Sequence, residues 1–130
     1  MSIGVELDDL RDAIDATDRA PYLLTVSDDG RPHCVAADWA WDGDELAVSV
    51  GNRTLANARA RKPISLLWPP RERDGYSLIV DGDVTRTEGS GAGDNLVGVH
   101  PTRAVLHRPA TGPTEAQCAA DCVRLLQPPG

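Results

Sequence analysis

The chain has 130 residues, 41% of them hydrophobic and 25% charged, and a formal net charge of −7. That is enough for one domain with a core of its own, spanning 1–130. The acidic balance argues against non-specific nucleic-acid binding and against docking on anionic membranes, because both depend on meeting phosphate with positive charge. No apolar run approaches the ~20 residues that a membrane span requires. The N-terminal stretch MSIGVELDDLRDAID holds no apolar signal-peptide core, and Cys34, Cys118 and Cys122 make no disulfide framework. The expectation is a cytoplasmic protein.

In chain order, Val5 to Ala16 carries Val5, Leu7, Leu10 and Ile14 roughly on one side and acids on the other, which predicts a short amphipathic helix. Tyr22 to Ser27 reads as a strand and Asp28-Asp29-Gly30 as a turn. His33 to Trp41 is a second strand. Asp42-Gly43-Asp44 is a tight hairpin turn, where Gly tolerates positive φ. Glu45 to Val50 is a third strand, Arg53 to Arg61 a short Ala-rich helix ended by Pro63, and Ile64 to Trp68 a fourth strand. Tyr76 to Thr87 is a long fifth strand with Gly82 at a bulge or bend. Asn95 to Arg108 is a sixth, open to interruption at Pro101, and Thr114 to Leu126 predicts a C-terminal helix. Strands joined by tight turns around one short helix imply a small antiparallel barrel, since closure removes exposed edges. The fold class is mainly β: a six-stranded antiparallel barrel with a short helix between strands 3 and 4 and helices at both termini.

One stretch departs from the acidic character of the rest. Between Leu46 and Arg71 there is no Asp or Glu, and the window holds Arg53, Arg59, Arg61 and Lys62, the only Lys of the chain. A strand that runs through Gly51 into a helix start offers free backbone N–H groups and the positive end of a dipole, which suits phosphate. Arg59, Arg61 and Lys62 sit at the other end of the helix, where cations complement the dipole without any ligand. No metal-ligand spacing links His100 or His107 to the cysteines, so no metal site is expected. Trp39 and Trp41 share one strand face, and core packing or an interface is the expected role for them and for Trp68.

The order LLTVSDDGRPHCVAADWAWDGDELAVSV, NRTLAN, RKPISLLWPP and YSLIVDGDV resembles the flavin-binding split-barrel family of pyridoxamine 5'-phosphate oxidase and the related deazaflavin-dependent reductases. The resemblance runs from about Ala20 to Pro109, and the small reductase branch is the better fit. It implies a split barrel, a homodimer with the cofactor between subunits, FMN or a deazaflavin coenzyme as cofactor, and hydride transfer with a small substrate. The oxidase branch carries S-R-K at the helix start, which here reads Asn52, Arg53 and Thr54. Its R-x-V-L-x-K on the second strand here reads from His33 to Asp38, so His33 replaces Arg and Asp38 replaces Lys. The cofactor phosphate residues implied are Asn52, Arg53, Thr54 and Asn57, with His33 as a protonatable partner. The competing role for Asn52 or Thr54 is plain helix capping. A split barrel that binds cofactor weakly or not at all is the alternative function, because three of four basic positions are lost. No catalytic residue is named, since in such enzymes the ring carries the hydride chemistry.

Overall fold

The computed structural model describes residues 2–90 and 93–109. The strands are β1 (Ser2–Val5), β2 (Tyr22–Val26), β3 (Pro32–Ala36), β4 (Asp38–Asp42), β5 (Glu45–Ser49), β6 (Pro63–Trp68), β7 (Ser77–Glu88) and β8 (Leu96–His107). The helices are α1 (Leu10–Asp15), entered through a 3-10 turn at Leu7–Asp9, and α2 (Asn52–Ala60). The expected C-terminal helix, with Cys118 and Cys122, lies outside the described residues.

All strand pairs are antiparallel, and the sheet runs β3-β2-β6-β7-β8-β5-β4, with β1 added on β8. β3 and β4 are the two ends of this path, yet they are consecutive in the chain and joined only by Ala37. The sheet therefore curls until one segment leaves its first edge and starts its last. Ala37 is buried at this corner, and its N–H donates to Pro21 O at 3.0 Å. Beyond the corner β3 and β4 diverge, so the barrel is split.

The expected antiparallel split barrel is the fold found, with eight described strands where six were expected. The corner at Ala37 divides the expected strand from His33 to Trp41 into β3 and β4. The expected helix from Val5 to Ala16 is shorter than its pattern, because its first residue belongs to β1. That strand covers the far edge of β8, with Ser2 opposite His107 and Val5 opposite Ala104. A short strand there satisfies backbone groups that would otherwise face solvent.

Period-two alternation puts Leu23, Leu46, Val48, Leu66, Trp68, Val80, Val97 and Val99 fully inside. Each such side chain contributes roughly 1.5–3 kcal/mol on burial. Leu10 and Ile14 of α1 and Leu55 and Ala58 of α2 join the same cluster. The β4–β5 hairpin turns on two residues, with Gly43 at φ 63° in the first central position, as a type II′ turn requires. Gly82 marks the expected bulge: the register of β7 with β8 shifts between Asp81 and Gly82. A Cβ at Gly82 would stand 2.7 Å from both His100 O and Val99 Cγ1. Pro101 does not interrupt β8; it sits opposite Gly82 in the ladder at this irregularity, where a missing N–H is tolerated.

Outside the barrel, Arg86 ties β7 to the β4–β5 hairpin through Asp42 at 2.7 Å and reaches Glu88 at 3.0 Å. The hydrogen bonds to Glu88 and then Asp42 raise its pKa above the ordinary guanidinium value. Among the described residues no helix is long and apolar enough to cross a membrane.

Candidate functional site

The end of β5 sets the start of α2. Val48 is held between Trp39 and Val97, and Ser49 between Asp38 and Leu96; two residues later Gly51 turns the chain into the helix. Gly51 is the cap residue, in extended conformation, and has no side chain to offer. The first helical hydrogen bond runs from Leu55 N to Gly51 O at 3.0 Å. The N–H groups of Asn52, Arg53 and Thr54 therefore have no acceptor within the helix. The capping role considered for Asn52 or Thr54 is not the one found. A Cβ built at Gly51 meets nothing within 4 Å, so there is space beside the cap residue among the described residues.

Three side chains surround those N–H groups. Arg53 is exposed and has no ion pair or side-chain hydrogen bond among the described residues. Thr54 is only 2% exposed, and its hydroxyl has no hydrogen-bond partner among the described residues. The one completely sequestered, unpartnered side-chain polar atom among those residues is Trp68 Nε1. The Thr54 hydroxyl is therefore not sealed in the core but opens to the surface at the first turn. Asn52 is exposed, and its Oδ1 accepts a hydrogen bond of 2.8 Å from Asn95 Nδ2.

Asn57 and His33 belong to a second group, further along the helix. Asn57 faces the barrel with Thr54, Leu55 and Ala58, and its Nδ2 donates to Thr25 Oγ1 at 3.1 Å and to Ser27 Oγ at 3.4 Å. Thr25 stands opposite His33 in the β2–β3 ladder, and both point to the inner face. Asn57 and His33 thus meet through Thr25. Asn57 spends its amide hydrogens on Thr25 of β2 and on Ser27 just beyond it, which seats the helix on the barrel. Five residues along a helix rise about 7.5 Å, so this group lies well over one turn from Asn52.

The remaining cations of the basic window are mostly engaged. Arg59 donates to Thr87 Oγ1 at 3.1 Å and to Gly89 O at 3.3 Å. Arg61 donates to Val26 O at 3.2 Å and pairs with Asp28 at 3.0 Å, pinning the β2–β3 turn. Asp38 begins β4 opposite Ser49 and lines a cleft of about 540 Å³ with Asp15, Thr17, Ala37 and Trp39. Trp39 meets Trp41 and Trp68 edge to face, at 5.5 and 5.8 Å between ring centroids. Among the described residues no group of three His, Cys, Asp or Glu side chains is placed to hold a metal ion.

No family model matches the chain. Over 119 residues it is 43% identical to the uncharacterized protein Mb0449c of Mycobacterium bovis and to the uncharacterized protein MT0457 of Mycobacterium tuberculosis, which covers 78% of this chain and 82% of each relative. The chain belongs to the same family as these two proteins. Solved structures share its architecture at lower identity. A protein from Listeria innocua assigned as a pyridoxamine 5'-phosphate oxidase superposes with a TM-score of 0.62 at 16% identity, over 78% of this chain and 98% of that one. An FMN-binding protein from Syntrophomonas wolfei gives 0.60 at 12%, over 75% and 83%. An F420 reductase gives 0.55 at 20%, over 65% and 87%. The fold is therefore the split barrel of the flavin-binding, pyridoxamine 5'-phosphate oxidase-like proteins.

Sequence reading missed Asn95, Thr25 and Ser27 as members of this region. Thr25 was visible as a hydroxyl at an inward position of an apolar strand. Asn95 gave no such signal, because the preceding EGSGAGD reads as a polar loop and its contact with Asn52 spans 43 positions.

Proposed function

We propose that the chain is an oxidoreductase of the cytoplasm that uses FMN or, alternatively, a deazaflavin coenzyme, and exchanges a hydride with a small conjugated or heteroaromatic substrate. The observation that carries this reading is the start of α2, which has no side-chain cap: among the described residues its first N–H groups, Arg53 and the Thr54 hydroxyl have no hydrogen-bond partner. Backbone donors and a dipole end suit an anion, and Arg adds a bidentate, charge-assisted contact to phosphate. When bound, the ring supplies the hydride chemistry. The chain supplies the phosphate grip through Asn52, Arg53 and Thr54, with His33 as a further polar contact, and seats the helix through Asn57.

We further infer a homodimer. The outward side chains of the β3-β2-β6-β7 surface include Leu24, Val26, Pro32, Cys34, Leu67 and Ile79, with Val26 38% exposed and the neighbouring Tyr22 40% exposed. A groove of about 440 Å³ crosses this face between Val26 and Asp81. Exposed apolar side chains around a groove that also carries Ser65 and Asp81 favour a second copy over solvent.

The reading with a deazaflavin coenzyme is favoured by the likeness to an F420 reductase. The reading as a non-catalytic binding protein draws on the scarcity of cations: Arg53 alone is uncommitted at the helix start, and Asp38 lies where the oxidase pattern has Lys. Fluorescence titration with FMN and with the deazaflavin coenzyme tests all three. Saturable binding that Arg53→Ala weakens by about tenfold or more supports the site. Tight binding unaffected by Arg53→Ala refutes it. Binding without turnover of any redox partner favours the non-catalytic reading.

A further inference from the structure

We propose that Asn95 is a positioning residue that fixes the polarity of the Asn52 amide, so that Asn52 presents only N–H donors to the bound phosphate; this rests on the phosphate reading above. An Asn side chain ends in an oxygen and an NH2 group of nearly the same shape, and only its partners decide which one faces a ligand. For an anion the difference is one of sign: the NH2 end attracts it and the oxygen repels it. Asn52 is exposed at the first position of α2, and on its own its amide turns freely.

Asn95 removes that freedom. It is only 3% exposed and donates from Nδ2 to Asn52 Oδ1 at 2.8 Å. The oxygen of Asn52 is thereby occupied on the protein side, and its NH2 is left for the open side, beside the N–H groups of Arg53 and Thr54. The backbone of Asn95 is itself held in place. Its backbone oxygen accepts from Val50 N at 3.2 Å, which ties it to the strand exit just before the helix. Its Cα and side-chain oxygen lie against Gly89, which has no Cβ and adopts φ 135°; a Cβ there would stand 2.7 Å from Asn95 Cα. Any larger residue at position 89 would push Asn95 off Asn52. The helix end does not stand alone as the ligand site, because the Thr54 hydroxyl, on a side chain 2% exposed, opens there without a partner among the described residues.

The test compares cofactors with and without their phosphate. Dissociation constants of FMN and riboflavin, and of the deazaflavin coenzyme and its phosphate-free core, are measured for the wild type, for Asn95→Leu and for Asn95→Ser. Leu keeps the branched shape without a polar atom, and Ser covers the case in which the larger Leu does not fold; urea midpoints report stability separately. The expected result is that the preference for the phosphorylated form falls about tenfold in the variants, while the affinity for the phosphate-free form changes less than about twofold. A merely structural role for Asn95 would lower both affinities together, or stability alone, and leave the preference intact; that outcome overturns the inference. If the wild type shows no preference for the phosphorylated form of either cofactor, the phosphate reading falls and this inference falls with it.

Discussion

Replacing Asn57 by Ala separates the seating of α2 from the binding of any ligand. Asn57 is 5% exposed and spends its amide hydrogens on Thr25 of β2 and on Ser27 just beyond it. The 3.1 Å bond to Thr25 is of ordinary length, and the 3.4 Å bond to Ser27 is long for an N–H···O contact. One good and one weak hydrogen bond together contribute about 1–2 kcal/mol net. The substitution also leaves the buried Thr25 hydroxyl without this donor, which costs about 1–3 kcal/mol if no water replaces it. Against this, Ala gains up to about 0.7 kcal/mol of helix propensity over Asn. The loss is expected to be about 1–3 kcal/mol, which for a domain of this size lowers Tm by roughly 3–12 °C. Urea unfolding should show a lower midpoint with an unchanged slope. Asn57→Leu combined with Thr25→Val removes both partners and should recover much of the loss, because two absent polar groups cost less than one orphan. A fully stable Asn57→Ala, or a double variant whose losses simply add, would refute the claim that this pair anchors the helix.

Gly82→Ala should destabilise by about 1–3 kcal/mol, because the new Cβ meets the His100 backbone oxygen where two strands approach closely at the bulge; thermal unfolding checks it. Asp28→Asn should cost less than about 1 kcal/mol, since the pair with Arg61 is largely in solvent, and a urea titration reads this. Val26→Lys, on the outer face of β2, should turn a dimer into a folded monomer by light scattering with circular dichroism unchanged; a persisting dimer would place the interface elsewhere.

The barrel was legible because its strands carry their own punctuation. Alternation in the strands, with the DDG and DGD turns, made the two tight hairpins, β2–β3 and β4–β5, legible from local pattern alone. What local pattern does not encode is where a strand leaves one sheet edge for the other. Ala37 is a small residue within a continuous apolar-polar alternation, and only the closure of the whole sheet makes it a corner. The same limit applied to β1: its alternation is too short to stand against the helical pattern that follows, and it became a strand because the end of β8 lay open. The helix start was legible as a site through Arg53 and the strand–Gly–helix order. Its supporting residues were not, because Asn95 reaches Asn52 only through the tertiary fold. Arg59 and Arg61, expected to complement the helix end rather than hold a ligand, have contacts that the sequence does not encode: they fasten the end of β7 and the β2–β3 turn.

The central claim is that the first turn of α2 holds the phosphate of a flavin-type cofactor. Backbone amide NMR during titration with FMN, repeated with the deazaflavin coenzyme, tests it residue by residue. The Asn52, Arg53 and Thr54 amide protons are expected to move downfield more than any others and to saturate with the cofactor, as N–H groups do when they gain an anionic acceptor. Saturating binding that leaves those three amides unmoved, or no binding of either cofactor at high micromolar concentration, would contradict it.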